Sequence, residues 1–253
     1  GIRDPLWSRG LEMCIRDRLT AQDRNYELTY FQQEDLKIID GRPLAKGRIL
    51  SVKDTAEKWF EFSNQNEYSL ADFDVILMRK DPPFNMEYIY STYILDLAEN
   101  SGVKVINHPS ALRNFNEKVS ISLFPSLTPK TLVTSSLNEI KAFLDAEAKI
   151  VVKPLDGMGG KSVFVVDKND RNAHSIFETI TNLGTTTIMA QVYVPEIEHG
   201  DKRIHIVYGQ HCNTALARIP NDQDNRGNLV MGALSLIHIS EPTRPERIWD
   251  GVV

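Results

Sequence analysis

The chain has 253 residues, of which 42% are hydrophobic and 25% are charged, so it is long enough for two modest domains that each bury a core. Its net charge of -5 provides no basic field to attract nucleic acid or an anionic membrane, and we expect neither partner. No apolar run is long enough to span a bilayer, and the only two cysteines, Cys14 and Cys212, lack CxxC spacing. These features predict a cytoplasmic protein.

A strand, a helix and a second strand are the clearest elements of the first half. Short apolar runs at 75–78 and 103–106 predict strands. Between them Ile89, Tyr93 and Leu97 recur every four residues, which predicts a helix with one apolar face. A parallel, nucleotide-binding-like sheet is built from units of this kind, so we predict such a sheet here.

The second half alternates β-branched runs with helical patterns, which is typical of a layered α/β protein. A helical stretch is predicted from Asn114 through Lys118 up to Pro125, and an extended one at 131–133. Ser136 and Glu139 form a capping box that opens the next helix. The remaining predicted elements are four strands and one helix, at 150–152, 163–166, 188–192, 203–207 and 175–183 respectively.

The two ends of the chain depart from this regular pattern. Residues 1–18 and 234–253 show neither the helical nor the strand period, and the strings EMCIRDR and LSLIHISEPTRP resemble translated sequencing-adapter sequence. We expect both segments to be foreign to the fold, with divergent natural termini as the alternative. The predicted organisation is then a first domain at 19–113 and a second at 114–233.

A lysine followed by a glycine-rich stretch, KPLDGMGGKS, lies between two predicted strands. Gly157, Gly159 and Gly160 would let backbone N–H groups approach phosphate oxygens without a Cβ in the way. The stretch is not a P-loop, whose first glycine would fall on Leu155, and it does not match the dinucleotide fingerprint. A hairpin turn without function is the alternative for any glycine cluster. Lys153 favours phosphate binding, because the end of an apolar strand places it poorly for a core and well for a phosphate.

Several ordered motifs carry a resemblance to a known family. The KPLDGMGG stretch, with Asn116-Glu117-Lys118 upstream, resembles the nucleotide site of bacterial glutathione synthetases in the ATP-grasp superfamily. Four further stretches agree with it, namely DVILMRKDPPF, TPKTLVT, MAQVYVPEIEHGDKRI and ALARIP with RGNL. The resemblance implies an α/β chain. Its first part would be a Rossmann-like pre-ATP-grasp domain that lacks its first strand, followed by an incomplete ATP-grasp domain with α+β lobes.

The resemblance also implies a nucleotide site. Lys118 and Lys153 match the two lysines that neutralise phosphate charge in ATP-grasp folds, and Asp201 matches the acceptor of the ribose hydroxyls. A hinge would read the adenine edge through its backbone and sandwich the ring with its side chains, and it corresponds to Gln191, Val192, Tyr193 and Val194. Judged without the family, Lys118 would be a solvated charge, Asp201 a turn residue and the hinge a buried strand.

Two arginines lie in predicted apolar strands and are the candidates for catalysis. Arg203 and Arg218 each need an anionic partner in such a setting, and a phosphoryl group or a substrate carboxylate would bind bidentately. A structural salt bridge is the competing interpretation. The resemblance favours catalysis, and it also implies a mobile loop that begins at Arg226 and Gly227 and closes over the substrate.

The reaction implied by the resemblance is ATP-dependent formation of glutathione. A carboxylate of γ-glutamylcysteine takes the γ-phosphoryl group of ATP, and the amine of glycine then displaces phosphate from the acyl phosphate. This chemistry needs alignment and charge neutralisation rather than a nucleophile, which agrees with lysines and arginines as candidates. The family also uses Mg²⁺, held in a Glu-x-Asn pattern. No such pattern follows residue 233, so no metal residue is assigned.

Two alternatives stay open on the sequence. Another ATP-grasp carboxylate–amine ligase, such as a D-alanine ligase or a glutamate ligase, would share Lys153 and the hinge. A nucleotide-binding fragment without catalysis would lack only the metal site. We expect the complete protein to be a homo-oligomer and the chain as it stands to be inactive, because the expected Mg²⁺ ligands would lie downstream.

Overall fold

The computed structural model describes residues 15–55, 59–79, 84–157, 160–207, 209–219 and 234–239. The chain divides into two compact units, Gly1–Ser120 and Ile121–Val253. Gly159, the loop predicted at Arg226 and Gly227, and most of the two segments predicted to be foreign lie outside the described residues. In the described ranges no helix is long and apolar enough to cross a membrane.

The described part of the first unit contains three α-helices and six strands. The helices are α1 (Ile15–Asp23), α2 (Met86–Asn100) and α3 (Pro109–Asn114). The strands are β1 (Thr29–Tyr30), β2 (Leu36–Ile39), β3 (Arg42–Val52), β4 (Phe60–Ser69), β5 (Val75–Leu77) and β6 (Lys104–Ile106). Strand β3 pairs antiparallel with β1, β2 and β4, whereas β5 pairs parallel with β6. The β5–α2–β6 arrangement confirms the predicted strand, helix, strand unit.

Strand β3 is the long central strand of the antiparallel sheet, and its buried side changes partway along. Ala45 and Gly47 are buried before the change, and Leu50 and Val52 are buried after it. The pairing of β3 with β4 shifts register between Arg48 and Leu50, as in a β-bulge. Because side chains alternate with a period of two, the extra residue lets one strand contribute to two apolar clusters.

Helix α2 is confirmed, but its buried face differs from the predicted one. The buried residues recur at intervals of three and four: Tyr88, Ser91, Thr92, Leu95 and Ala98. Tyr93, which belongs to the predicted stripe, is 49% exposed. The helix can bury its hydroxyl-bearing side because Ser91 and Thr92 donate to the carbonyl oxygens of Glu87 and Ile89. The four-residue spacing of apolar residues alone therefore did not identify the core face.

The helical stretch predicted from Asn114 through Lys118 up to Pro125 is only partly present. Helix α3 ends at Asn114, and the next ordered turn is a 3₁₀ helix that begins at Val119. The side-chain oxygen of Asn116 accepts hydrogen bonds from the N–H groups of Lys118 and Val119, each at 3.0 Å. Asn116 therefore caps a new turn instead of continuing the preceding helix.

The described part of the second unit contains two α-helices and seven strands. The helices are α4 (Leu137–Glu147) and α5 (Ala173–Ile180). The strands are β7 (Thr131–Thr134), β8 (Lys149–Pro154), β9 (Phe164–Asp167), β10 (Ile188–Val192), β11 (Asp201–Val207), β12 (Gln210–Ile219) and β13 (Leu234–Ile239). The elements predicted from residue 131 onward are confirmed, with small shifts of their bounds.

Two sheets are built from these strands. The strand order is β7-β10-β8-β9 in one sheet and β11-β12-β13 in the other, and all pairs are antiparallel. Strand β13 lies within the segment predicted to be foreign, although it pairs with β12 along its whole length. The foreign origin of that segment stays a prediction.

Helices α4 and α5 cover one face of the β7-β10-β8-β9 sheet. Their apolar residues form a buried cluster with alternate strand residues: Ile140, Leu144, Phe177, Ile180, Ile150, Val152, Val166, Ile188 and Ala190. The intervening strand residues point to the opposite face. That opposite face carries Lys153 and Gln191.

The capping box predicted at the start of α4 is only half formed. The hydroxyl oxygen of Ser136 accepts a hydrogen bond from the N–H of Glu139, as predicted. The Glu139 carboxylate, however, accepts from the Thr134 hydroxyl at 2.5 Å, and the Ser136 N–H donates to that same hydroxyl. Thr134 thus connects the two partners that a capping box joins directly.

Candidate functional site

Lys153 lies near the end of β8, on the face of the sheet that the helices leave uncovered. It pairs with Met189 of β10, and Gln191 lies two residues farther along β10, so Lys153 and Gln191 share that face. The Lys153 ammonium donates to the side-chain oxygen of Gln191 at 2.8 Å. The lysine predicted to bind phosphate is therefore partly buried and held by a neighbouring strand.

The bond between Lys153 and Gln191 continues to a third strand. The side-chain NH₂ of Gln191 donates to the Thr131 hydroxyl oxygen at 2.9 Å. The Thr131 hydroxyl in turn donates to the carbonyl oxygen of Pro129 at 2.8 Å. One chain of hydrogen bonds thus crosses β8, β10 and β7 and ends at a backbone carbonyl.

The glycine-rich stretch forms the connection from β8 to β9. A Cβ at Gly157 would lie 2.7 Å from the Cγ atom of Pro154, which is closer than real Cβ contacts come. Gly160 has a φ of 75°, a conformation that side chains disfavour. Both positions therefore favour glycine, for different reasons. The connection begins directly after the strand that carries Lys153.

The Tyr193 side chain, which belongs to the hinge, is buried and is not an exposed surface for ring stacking. Its ring is 8% exposed, and the Lys149 ammonium lies 4.0 Å from the ring centroid. Its hydroxyl donates to a carboxylate oxygen of Glu198 at 3.1 Å. Burial raises the pKa of Tyr193 above 10.0, and the Glu198 carboxylate adds to the rise.

The backbone of the hinge is partly engaged by the sheet. The N–H groups of Val192 and Tyr193 donate to the carbonyl oxygens of Lys130 and Lys149, at 3.0 and 3.1 Å. Within the part of the chain that the structure describes, the N–H of Val194 has no such partner, and Val194 is 42% exposed. Among the N–H groups from Val192 to Val194, that of Val194 is therefore the one that the sheet does not engage within the described residues.

Asp201 and Arg218 form a bidentate ion pair across β11 and β12. The two residues face each other in the strand register. The Arg218 Nε–H donates to one carboxylate oxygen of Asp201 at 2.7 Å, and a terminal NH₂ of Arg218 donates to the other. The hydrogen bond to Asp201 raises the pKa of Arg218 above its ordinary value. The salt bridge considered as the alternative from sequence is thus present, and it joins two predicted site residues.

The residue before Asp201 is a glycine whose backbone makes this pair possible. Gly200 has a φ of 95°, and a Cβ there would overlap the backbone carbonyl of Arg218. The backbone of β11 can therefore approach β12 at its first residue only because Gly200 lacks a side chain.

The two remaining candidates have different surroundings. Arg203 pairs with Leu216 and lies on the same face of β11 and β12 as Asp201 and Arg218. It is exposed, and no ion pair to it occurs among the described residues. Lys118, in the first unit, forms an ion pair with Glu117 at 2.6 Å.

Three side chains around these residues escaped the sequence analysis. Thr131, Lys149 and Glu198 contact candidate residues directly, yet none stood out by residue type. Thr131 and Glu198 do lie inside the motifs TPKTLVT and MAQVYVPEIEHGDKRI that carry the resemblance. Their contacts with the candidate residues could be identified only from the folded structure.

Two protein-family models match the chain in sequence order. The model described as prokaryotic glutathione synthetase, N-terminal domain, matches residues 18–113. The model described as prokaryotic glutathione synthetase, ATP-grasp domain, matches residues 117–243. The second match extends into the segment at 234–253 that was predicted to be foreign.

Curated proteins named glutathione synthetase match at high identity. The chain is 50% identical over 214 residues to that of Salmonella typhimurium strain LT2, which covers 85% of this chain and 68% of the relative. It is 46% identical over 233 residues to that of Vibrio parahaemolyticus, which covers 91% and 74%.

Solved structures share the fold at much lower identity. The ATP-grasp ligase PsnB, complexed with a phosphomimetic variant of minimal precursor, Mg and ADP, superposes with a TM-score of 0.54 at 15% identity and covers 95% of this chain and 75% of its own. The D-alanyl-alanine synthetase A of Vibrio cholerae superposes with a TM-score of 0.51 at 12% identity, over 84% and 64%. These structures show the fold alone. Taken with the two family models and the close relatives, they lead to one conclusion: the chain belongs to the prokaryotic glutathione synthetase family.

Proposed function

We propose that this chain binds ATP on the sheet face that carries Lys153 and serves the ATP-dependent synthesis of glutathione. One observation carries the nucleotide site: Lys153 lies one residue before the end of the strand that leads into the glycine connection, and Gln191 holds it at the sheet surface. A lysine in this position supplies a point charge for a phosphate, and the glycines admit phosphate oxygens close to the backbone.

The other candidates divide the remaining tasks. The N–H of Val194 would donate to adenine, and Lys118 would add a second charge for the phosphates. Arg203 and Arg218, on one face of β11 and β12, would bind the transferring phosphoryl group or the acceptor carboxylate. Asp201 can accept from the ribose hydroxyls as well as from Arg218, since each carboxylate oxygen has two lone pairs.

The substrates we propose are γ-glutamylcysteine and glycine. A carboxylate oxygen of γ-glutamylcysteine attacks the γ-phosphorus of ATP, and the bond to ADP breaks. The glycine nitrogen then attacks the acyl carbon, phosphate leaves, and the nitrogen gives up a proton. Charge builds on the phosphoryl oxygens during the first step, so fixed cations lower its barrier.

The proposal includes Mg²⁺, a homo-oligomer and a cytoplasmic location, as predicted from the sequence. Among the described residues no group of three or more His, Cys, Asp or Glu could hold a metal ion.

Calorimetric titration with ATP tests the nucleotide site. We expect Lys153→Ala to weaken ATP binding about 10- to 150-fold, the effect of losing one charge-assisted hydrogen bond of about 1.5–3 kcal/mol. Lys141→Ala is the matched control, because Lys141 is an exposed lysine of α4, which packs on the other face of the sheet. Equal ATP affinity of Lys153→Ala and the unsubstituted chain would overturn the proposal.

A further inference from the structure

We propose that Gln191 and Thr131 are positioning residues that hold the Lys153 ammonium ready for a phosphate. The inference rests on the proposed nucleotide site and goes beyond it, because it gives the side chain of a hinge residue and a residue of a third strand a task in phosphate binding. Neither side chain needs to contact the nucleotide phosphates for this task.

The direction of every hydrogen bond in the chain is determined by its two ends. The carbonyl oxygen of Pro129 can only accept, so the single hydroxyl proton of Thr131 points to it. The Thr131 oxygen then presents only lone pairs to Gln191. At the other end the Lys153 ammonium can only donate.

These two ends leave one orientation for the Gln191 amide. Its NH₂ group must face Thr131, and its oxygen must face Lys153, as the distances of 2.9 and 2.8 Å indicate. The opposite orientation would place an NH₂ group against an ammonium and an oxygen against lone pairs. Thr131 therefore acts on Lys153 through Gln191, by excluding the wrong amide orientation.

The same geometry reduces the cost of binding a phosphate. A lysine side chain has four rotatable bonds and loses much of its rotamer freedom when it is immobilised. A lysine ordered in advance loses less freedom when the ligand binds. The Gln191 oxygen achieves this order without adding a negative charge beside Lys153, whereas a carboxylate at that position would compete with the phosphate for the ammonium.

The test compares ATP with adenosine, because only ATP has phosphates for Lys153 to bind. Calorimetric titrations of the full chain would use Thr131→Val, which keeps the side-chain shape but removes the hydroxyl, and Thr131→Ser, which restores it. We expect Thr131→Val to weaken ATP binding about three- to tenfold and to leave adenosine binding unchanged. We expect Thr131→Ser to match the unsubstituted chain.

A second variant tests the charge argument. Gln191→Glu should hold Lys153 at least as firmly, yet it should weaken ATP binding at least as much as Thr131→Val, and the loss should be larger for ATP than for adenosine. An ATP affinity equal to that of the unsubstituted chain would contradict the requirement for a neutral acceptor.

Lys153→Ala in the same series separates the two proposals. If Lys153→Ala weakens ATP binding and Thr131→Val does not, the positioning role is wrong and the nucleotide site stands. If Lys153→Ala has no effect, both proposals fail. Equal losses of ATP and adenosine affinity in Thr131→Val would indicate that Thr131 only supports the hinge, and this result would also overturn the positioning role.

Discussion

The two sheets of the second unit hold their candidate cations in different ways. On β8, Lys153 donates to the neutral amide of Gln191, which is itself oriented by Thr131. On β12, Arg218 donates two hydrogen bonds to the carboxylate of Asp201. An amide orders a cation and adds no charge, whereas a carboxylate orders a cation and neutralises it.

An incoming anion meets a different competitor at each of the two cations. A phosphate that reaches Lys153 displaces or shares a neutral acceptor. A phosphate or carboxylate that reaches Arg218 must share it with Asp201 or displace Asp201. The raised pKa of Arg218 reflects that its partner already stabilises the charged form. An anion that binds Arg218 must therefore compete with the Asp201 carboxylate, whereas one that binds Lys153 competes with the amide oxygen of Gln191.

The largest expected effect concerns the glycine that brings β11 against β12. Gly200→Ala should destabilise the chain by about 2–4 kcal/mol, because the φ of 95° and the overlap with the Arg218 carbonyl act together. Gly209→Ala is the matched control: its φ is 74°, and no atom of the described residues lies within 4 Å of a Cβ there. We expect it to cost about 1 kcal/mol.

Urea unfolding of both variants measures the difference. Equal losses in Gly200→Ala and Gly209→Ala would mean that the close approach at Asp201 is not maintained in solution. The ion pair would then lose its structural support, and the comparison between the two sheets would have to be abandoned.

The next effect compares the ion pair of Asp201 and Arg218 with the hydrogen bond between Thr131 and Gln191. A double-mutant cycle of Asp201→Ala and Arg218→Ala should give a coupling of about 1–2 kcal/mol in the free energy of unfolding, and salt should weaken it. The corresponding cycle of Thr131→Val and Gln191→Leu should give about 0.5–1 kcal/mol, without salt dependence. Indistinguishable couplings with the same response to salt would show that the two cations are not held differently.

The smallest expected effect is the pH dependence of the stability that the Tyr193 hydroxyl contributes. The pKa of Tyr193 is raised above 10.0 in the folded chain, so its contribution to stability is fully present below pH 10 and is lost as pH rises through the folded pKa. Tyr193→Phe should cost about 1 kcal/mol or less at pH 8, through loss of the bond to Glu198. The difference between the two chains should shrink above pH 10, as measured by denaturant unfolding from pH 8 to 11. A difference that stays constant or grows would contradict the assigned environment.

Contiguous signals located Lys153 and the glycine connection well. Lys153 and the glycines that follow it are adjacent in sequence, so residue type and order were sufficient to locate a lysine at a strand end before a glycine connection. The chain of hydrogen bonds behind Lys153 is different in kind. Gln191 is 38 residues from Lys153 and 60 residues from Thr131. Only the pairing of β10 with both β8 and β7 brings the three together, and no local pattern contains that pairing.

The antiparallel sheet of the first unit contains one turn that the sequence indicates but the prediction left out, and one bulge that conceals a strand. Asp40 and Gly41 have φ values of 48° and 77°, which is the tight two-residue turn that an Asp-Gly pair between apolar runs indicates. The sequence contains this turn signal, but the prediction included no hairpin here. The bulge near Arg48, in contrast, shifts the buried positions of β3 from odd to even numbers and so breaks the alternation that would have identified the strand.

The most direct test of the proposed reaction is phosphate release from ATP, measured with and without each proposed substrate. We expect release only when γ-glutamylcysteine, glycine and Mg²⁺ are present together, because the acyl phosphate is useful only in a closed site. Turnover with D-alanine as both substrates, or with glutamate in place of γ-glutamylcysteine, would contradict the proposed reaction and indicate another ligase. ATP binding without turnover on any acceptor would also contradict the proposed reaction and indicate a binding-only role.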